Sequence, residues 1–450
     1  MRNEKTYIPR VETMSDTMSV AMHAGGIKEK AKQATGAAVF GTFIEYYDFS
    51  VYGYVAATLS LVFFPAGDAV ANLLNTLAVF GLAFLVRPIG AWYFGQLGDR
   101  RGRRTSLIAT ITLMGVASAL TGLLPSYQTI GIVAPVLLVL MRLLQGFSTG
   151  GEIGGAASYI REWAAPDRRA LYISFLPSVA QLGKGLAAAL GGLMAAMLTR
   201  ESMIEWGWRI PFLLAGPLAV LTIWMRLSIE DSPEFAALSA SHKTTKAPLA
   251  SLFQQYPTAL AKVMLISAVQ NIGTYIGTVF VSVYFSEVLG FSKAEAATVV
   301  LLAVILASFL IPLAGMIGNR VGGKTLLLIA YTAYLLLTLP EFMLMNQNNI
   351  VLALLGLSIG IIPYALCQAG TYATMPEMFP TQIRHTGVAF GHSVGAVVGG
   401  GGGPYFAAWL ISVTGNTYMP AYILMGAGLV GLVVVGLTVR RNVGGTHLYA

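Results

Sequence analysis

The chain has 450 residues, of which 56% are hydrophobic and only 11% charged, whereas an ordinary soluble protein is about one quarter charged. Its formal net charge of +8 does not indicate a nucleic-acid partner, because the basic residues form short clusters between apolar stretches and no basic face with interleaved aromatics is present. Anionic lipid headgroups suit such clusters better, and the single cysteine, Cys367, excludes a disulfide framework and a CxxC metal or redox site.

Residues 1–35 open with MRNEKTYIPR and contain no short apolar run followed by a cleavage site, so no signal peptide is expected and the amino terminus is expected in the cytoplasm. Beyond them lie twelve apolar runs, at 36–64, 72–97, 105–125, 130–161, 171–198, 209–228, 257–286, 295–318, 325–345, 350–376, 384–413 and 418–439. Each is near the roughly 20 residues that cross a hydrocarbon core as a helix. The reading is an all-α integral membrane protein with twelve transmembrane helices. A polar connection at 229–256 separates a first six-helix bundle, 36–228, from a second, 257–439, and a tail of 440–450 follows. In the loops of one side only Arg200, Arg209 and Lys293 are basic, which puts both termini and the basic turns on the cytoplasmic side.

The turn GQLGDRRGRRTSL, Gly95 to Leu107, has a counterpart in GMIGNRVGGKTLL, Gly315 to Leu327, with Asn319 in place of Asp99. EWAAPDRRALY, with Glu162 and Arg169, is likewise matched by EMFPTQIRHTG, with Glu377 and Arg384. Two motifs repeated at similar displacements, 220 and 215 residues, indicate duplicated units with a substrate at the midplane between them.

GQLGDRRGRRTSL resembles the signature between helices 2 and 3 of the major facilitator superfamily, and RLLQGFSTGGE resembles its helix 4 motif. FIEYYDFSVYG, FLVRPIGAWYFGQLGDRRGRR, EWGWRIPFLLAGPL and MFPTQIRHTGVAFG narrow the resemblance to the metabolite:proton symporters, whose members carry α-ketoglutarate, citrate, shikimate or proline/betaine. The resemblance implies the major facilitator fold and a gate in which Asp99 meets the amino-terminal end of helix 11 and pairs with a nearby arginine. It also implies that Arg103 pairs with Glu162. Arg100, Arg169 and Arg384 complete the gate candidates, and Asn319, lacking the anion, is expected to clamp more weakly.

An ionisable side chain within a membrane helix normally faces a cavity or a partner. Glu45 and Asp48 share a face of helix 1 with Tyr52, and Arg142, Gln145, Thr149 and Glu152 form a stripe on helix 4. Glu45, Arg87 and Glu152 lie at similar depth, roughly 14 Å in at the helical rise, and are read either as a structural ion network or as transport groups. Lys184, in QLGKGLAAALGG, stands near the middle of helix 5 and is read as an anchor for an anionic substrate or as a neutraliser of Asp48. The second half is read as polar without fixed charge: Asn271, Tyr275, Tyr364 and Gln368 can orient a ligand or serve helix packing. The glycines of GAVVGGGGGPY are a hinge or a close-packing surface.

Neither a GxxxxGK[ST] phosphate loop nor an HExxH motif is present, so ATP hydrolysis and metalloenzyme chemistry are not expected. The expected function is proton-driven secondary transport of a small carboxylate-bearing metabolite by alternating access, with a zwitterionic osmolyte such as proline or betaine as the other substrate class. A passive channel or a non-transporting receptor is a further class. Substrate-binding candidates are Arg142, Lys184, Arg87, Tyr52, Gln145, Asn271, Tyr275, Tyr364 and Gln368. Proton-coupling candidates are Glu152, Asp48, Glu45 and His392, in that order. No cofactor, metal or nucleic acid is expected; a monomer in a bacterial inner membrane, with substrate, protons and lipids as partners, is.

Overall fold

The computed structural model describes residues 14–65, 69–245 and 247–439, so the expectations for residues 1–13 and the tail 440–450 lie outside the described residues. Every regular element among the described residues is helical. The twelve long helices are α1 (Met14–Phe63), α2 (Ala69–Arg101), α3 (Arg103–Leu123), α4 (Val133–Trp163), α5 (Arg169–Met197), α6 (Arg209–Leu227), α7 (Pro257–Val288), α8 (Lys293–Val321), α9 (Gly323–Met345), α10 (Ile350–Thr374), α11 (Arg384–Thr414) and α12 (Met419–Thr438). Ten of them, α3 to α12, are long and apolar enough to cross a membrane, while α1 packs on α5 and α4, and α2 on α4. Helix α1 begins well before the expected span, at Met14. The polar connection also carries short helices, Pro233–Ala240 and Pro248–Gln255.

Local chemistry sets several boundaries. Gly102, at φ 105°, and Gly322, at φ 82°, make the same turn in the two halves, where a residue with a Cβ would be strained. Ser292 and Glu295 form a reciprocal capping box at the start of α8. In α11 the run Val397–Gly401 continues as a wide, π-type turn rather than breaking the helix. A Cβ on Gly395 would lie 2.7 Å from Ala268 N, and one on Gly399 would lie 2.4 Å from Ala268 O, so this run is a packing surface against α7.

The halves meet where α8 packs on α5, and where α11 packs on α2 and α4. Glycine permits the second contact. A Cβ on Gly154 would come within 2.5 Å of Ala389 N, one on Gly95 within 2.7 Å of Thr386 Cα, and one on Gly98 within 1.9 Å of the His385 ring. The small-residue face lets the backbones approach where larger side chains would hold them apart.

The end of the bundle carrying the basic turns is closed by buried charge. Asp99 accepts hydrogen bonds from His385 N at 3.2 Å and Thr386 N at 2.9 Å, at the amino-terminal end of α11, and pairs with Arg103 at 3.1 Å. Unsatisfied amides and the helix dipole both favour an anion there. Arg103 reaches Glu162 through Nε and Nη2, each at 3.1 Å, and Glu162 also receives Arg384 Nη1 at 2.7 Å. Thus one carboxylate of the first half holds a guanidinium from each half. Arg384 continues to Glu234 on Pro233–Ala240 at 2.6 Å, and Arg161 and Arg169 reach Glu234 at 3.4 Å each. Arg100 is exposed and bonds Gln96 at 3.2 Å, outside this junction. In the second copy of the turn Asn319 accepts from Leu171 N at 3.2 Å, a neutral version of the Asp99 contact at the start of α5.

Glu234 and Asp231 were not among the gate expectations, although Ser232, Pro233 and Glu234 form a readable helix-start signal. Asp231 accepts from Arg103 N at 3.0 Å. Burial alone pushes the Glu234 carboxyl up, but Arg384, Arg161 and Thr381 outweigh it and hold the group below its ordinary range. Its depressed value means that its stabilisation is present above the unfolded pKa of about 4.3 and is lost as pH falls through the lower folded value.

Two outcomes follow for the closed end. Asp99→Asn is expected to fold but to loosen this junction, so that a cysteine introduced beneath it reacts at least severalfold faster with a membrane-impermeant maleimide. Gly154→Leu is expected to do the same by steric separation, and unchanged labelling in both variants would contradict a junction held by these contacts.

Candidate functional site

Between the closed end and the opposite end, polar side chains gather near the middle of the bundle. On the first-half side, Arg142 is fully buried, lies 3.7 Å from the Tyr52 ring centroid and donates to Gln145 at 2.7 Å; Gln145 donates to Ser118 at 2.8 Å. Asp48 faces Arg142, with the Ser118 hydroxyl within reach, while its Oδ1 and the Nε and Nη2 of Arg142 have no hydrogen-bond partner. The two opposite charges share one neighbourhood without a salt bridge between them among the described residues, and each keeps unpartnered atoms.

Glu152 is differently placed. Arg226 from α6 binds both of its oxygens, and Thr110 donates to it at 2.5 Å. The pair fits because Gly41 has no Cβ, which would sit 1.8 Å from Arg226 Nη2. Glu45, Arg87 and Glu152 do share one electrostatic neighbourhood. Their expected mutual network is nevertheless replaced by separate partners. Arg87 lies 4.4 Å from the ring centroids of Phe49 and Phe84, within reach of the Tyr275 hydroxyl from α7, and Glu45 Oε2 has no hydrogen-bond partner. Arg226 escaped the sequence reading because it closes helix 6 and looks like a loop anchor.

Lys184 is half-buried and faces the Tyr46 ring, 5.4 Å from its centroid. Of its two readings, the neutraliser of Asp48 finds no contact, since among the described residues Lys184 forms no ion pair with Asp48 or with any other carboxylate. One turn earlier, Gln181 crosses to the other half and donates to Tyr364 at 2.6 Å. Gln368 donates to Thr274 at 2.8 Å and accepts from Gln270 at 2.9 Å, and Asn271 donates to Gln270 at 2.9 Å. His392 is buried beside Tyr372, with ring centroids 5.8 Å apart and Nδ1 unpartnered.

The second half is not free of charge, contrary to the sequence reading. Glu341 on α9 is 5% exposed, with its carboxyl against Gly360, where a Cβ would come within 2.1 Å. It stands apart from the central cluster, and LPEF reads as an ordinary helix segment. Among the described residues no group of His, Cys, Asp and Glu is arranged to hold a metal ion.

The family model for the Major Facilitator Superfamily matches residues 38–404. Among curated proteins, the inner membrane metabolite transport protein YhjE of Escherichia coli is 36% identical over 87% of this chain and 91% of its own length. The proline/betaine transporter of Escherichia coli is 33% identical over 92% of this chain and 84% of its own, and the citrate-proton symporter of Klebsiella pneumoniae 33% over 89% and 90%. Among solved structures, the proton:xylose symporter XylE bound to 6-bromo-6-deoxy-D-glucose superposes with a TM-score of 0.80 over 94% of this chain and 98% of that one, at 18% identity, a likeness of fold. With its twelve-helix architecture and the match across residues 38–404, the chain belongs to the major facilitator superfamily.

Proposed function

We propose that this protein is a proton-coupled secondary transporter that takes up a small carboxylate-bearing metabolite by alternating access. The observation that carries the reading is Lys184, a cation at the seam between the halves with an aromatic ring as its described contact. An ammonium at this seam with no described carboxylate beside it would be met by a substrate carboxylate through a charge-assisted hydrogen bond. Curated relatives that transport metabolites, citrate with protons, and proline or betaine support the class. A second reading, uptake of a zwitterionic osmolyte, is favoured by the proline/betaine relatives and by Tyr46, Tyr275 and Tyr372, whose rings are suited to a quaternary ammonium.

In this reading the basic end is the cytoplasmic gate, with Asp99, Arg103, Glu162, Arg169 and Arg384 as its parts and Glu234 added to them. Alternating access then requires the buried charge junction to open as the outer side closes. Both termini lie on the cytoplasmic side of a bacterial inner membrane.

Proton coupling passes to Asp48 rather than Glu152. A carrier must exchange its proton between two compartments, and Glu152 has both oxygens engaged by Arg226. Asp48 keeps one oxygen free beside an arginine with unpartnered donors. Protonating Asp48 would remove the negative charge that faces Arg142, which links proton occupancy to the electrostatics of the site. Glu45 is the second candidate, for its unpartnered Oε2.

Lys184→Ala is expected to raise the substrate dissociation constant by about one to two orders of magnitude. Lys184→Arg should retain part of the affinity, since the charge survives with altered geometry. Unchanged affinity in Lys184→Ala would remove the carboxylate anchor and favour the osmolyte reading. For coupling, Asp48→Asn in proteoliposomes should keep counterflow of labelled substrate while losing accumulation driven by a pH gradient. Full accumulation by that variant would acquit Asp48, and the same assay on Glu152→Gln is expected to show a general loss of stability rather than selective uncoupling.

A further inference from the structure

Glu341 belongs neither to the closed end nor to the central cluster. It lies near the end of α9 that is opposite the basic turns, roughly 6 Å in at the helical rise. It is buried, and among the described residues no cation pairs with its carboxyl and no side chain donates to it. Among those residues α8, α10 and α12 bring no charged side chain against it; the titratable groups in its electrostatic neighbourhood are phenols, Tyr334 on α9 and Tyr284 on α7, with Tyr418 beside Tyr284. Gly360 of α10 makes room for the carboxyl, since a Cβ there would lie 2.1 Å from Glu341 Oε1. Gly356, one turn earlier, lies against the Glu341 backbone carbonyl, 2.6 Å from where its Cβ would stand. One turn beyond Gly360, Tyr364 accepts from Gln181 of the other half. Pro340 and Pro363 interrupt the backbone hydrogen bonding of α9 and α10 beside these contacts.

We propose that Glu341 is a second proton-binding site, reached from the outer end, whose proton holds α10 against α9 and so sets Tyr364 at the seam between the halves. The proposal rests on the transport reading above and adds to it a site away from the central cavity. A buried carboxyl needs a cation, several donors or a proton, and the first two are absent here among the described residues. A metal ion needs several oxygen ligands, and among the described residues no acidic or histidine group is arranged to supply them. A substrate ammonium finds no room where the carboxyl packs on glycine backbone. A proton needs one oxygen. At the same end Asn346 donates to the Tyr284 hydroxyl at 2.7 Å, and that hydroxyl donates to the Thr417 carbonyl at 2.9 Å, which gives the proton a polar approach. Once ionised, Glu341 would have to draw water or turn away from Gly360, and α10 would loosen. Proton occupancy and the packing of α10 are therefore linked, each favouring the other.

The experiment uses the full chain in lipid nanodiscs, with Cys367→Ala and spin labels carried on Met197→Cys and Val351→Cys, exposed positions at the outer ends of α5 and α10. The distance between the labels is measured by electron double resonance at mildly acidic and mildly alkaline pH. In parallel, dicyclohexylcarbodiimide, which attacks protonated carboxyls in apolar surroundings, is located by peptide mass spectrometry. The reagent is expected to mark Glu341, and the distance to shift with pH. Glu341→Gln, which copies the shape of the protonated acid, should fold, lose the mark and keep the acidic-pH distance at both pH values. Glu341→Asp should retain part of the shift. No mark on Glu341, no shift with pH, a shift that survives in Glu341→Gln, or a Glu341→Gln protein that does not fold would each overturn the proposal. A shift abolished by Asp48→Asn and kept by Glu341→Gln would also overturn it, while leaving the transport reading in place. Failure of that underlying reading looks different: Asp48→Asn would accumulate fully, with the Glu341 mark and its distance response unchanged.

Discussion

A carboxylate taken out of water must be met by opposite charge or by several hydrogen-bond donors, and Glu162 meets this requirement with groups drawn from both halves of the molecule. Arg103 from the first half and Arg384 from the second share its oxygens, with Ser232 from the connecting segment as a further donor. Removing one partner of a buried pair costs about 3–5 kcal/mol because the remaining charge is left uncompensated. The halves therefore cannot separate at this end unless those charges become hydrated. Asp99 applies the same rule with backbone amides, since the amino-terminal end of α11 supplies two donors and a favourable dipole. Closure and charge satisfaction are one event.

This electrostatic junction depends on packing that brings the helices close enough for short side chains to reach. Gly95, Gly98 and Gly154 remove the Cβ atoms that would otherwise hold α2 and α4 off α11. In lipid, helix association has no hydrophobic driving force to overcome a poor fit, so close backbone contact and interhelical hydrogen bonds carry the interface. The same economy recurs in the interior, where Gly41 makes room for the Arg226 guanidinium beside Glu152. The centre is built on the opposite plan: Lys184, Gln181, Asp48 and Glu45 each retain an unengaged charge or oxygen. Charge is satisfied at the closed end and left partly unsatisfied at the centre.

The division of labour between the repeated turns is also physical. Asp99 and Asn319 occupy equivalent places and both accept from backbone amides at a helix start. Only the first is an anion, and only the first is joined to a network of arginines and glutamates. A charged and a neutral version of one contact thus stand at equivalent places of the duplicated architecture.

The membrane class, the twelve helices, the duplication and the Asp99 turn were determined by the sequence alone, because hydropathy over about 20 residues, basic-loop asymmetry and glycine-bounded turns are local signals. The candidate charges were legible for the same reason: an ionisable residue within an apolar run is conspicuous one residue at a time. Their pairing was not. Arg226 joins Glu152 across 74 positions, and Arg384 joins Glu162 across 222, so partners depend on helix rotation and crossing, which no local pattern encodes. Thus Asp48 faces Arg142 and not Lys184, and Glu152 is engaged while Gln181 keeps a free oxygen. Which groups are conspicuous is a property of the chain; which of them remain unsatisfied is decided only when twelve helices pack and distribute a limited supply of donors among them.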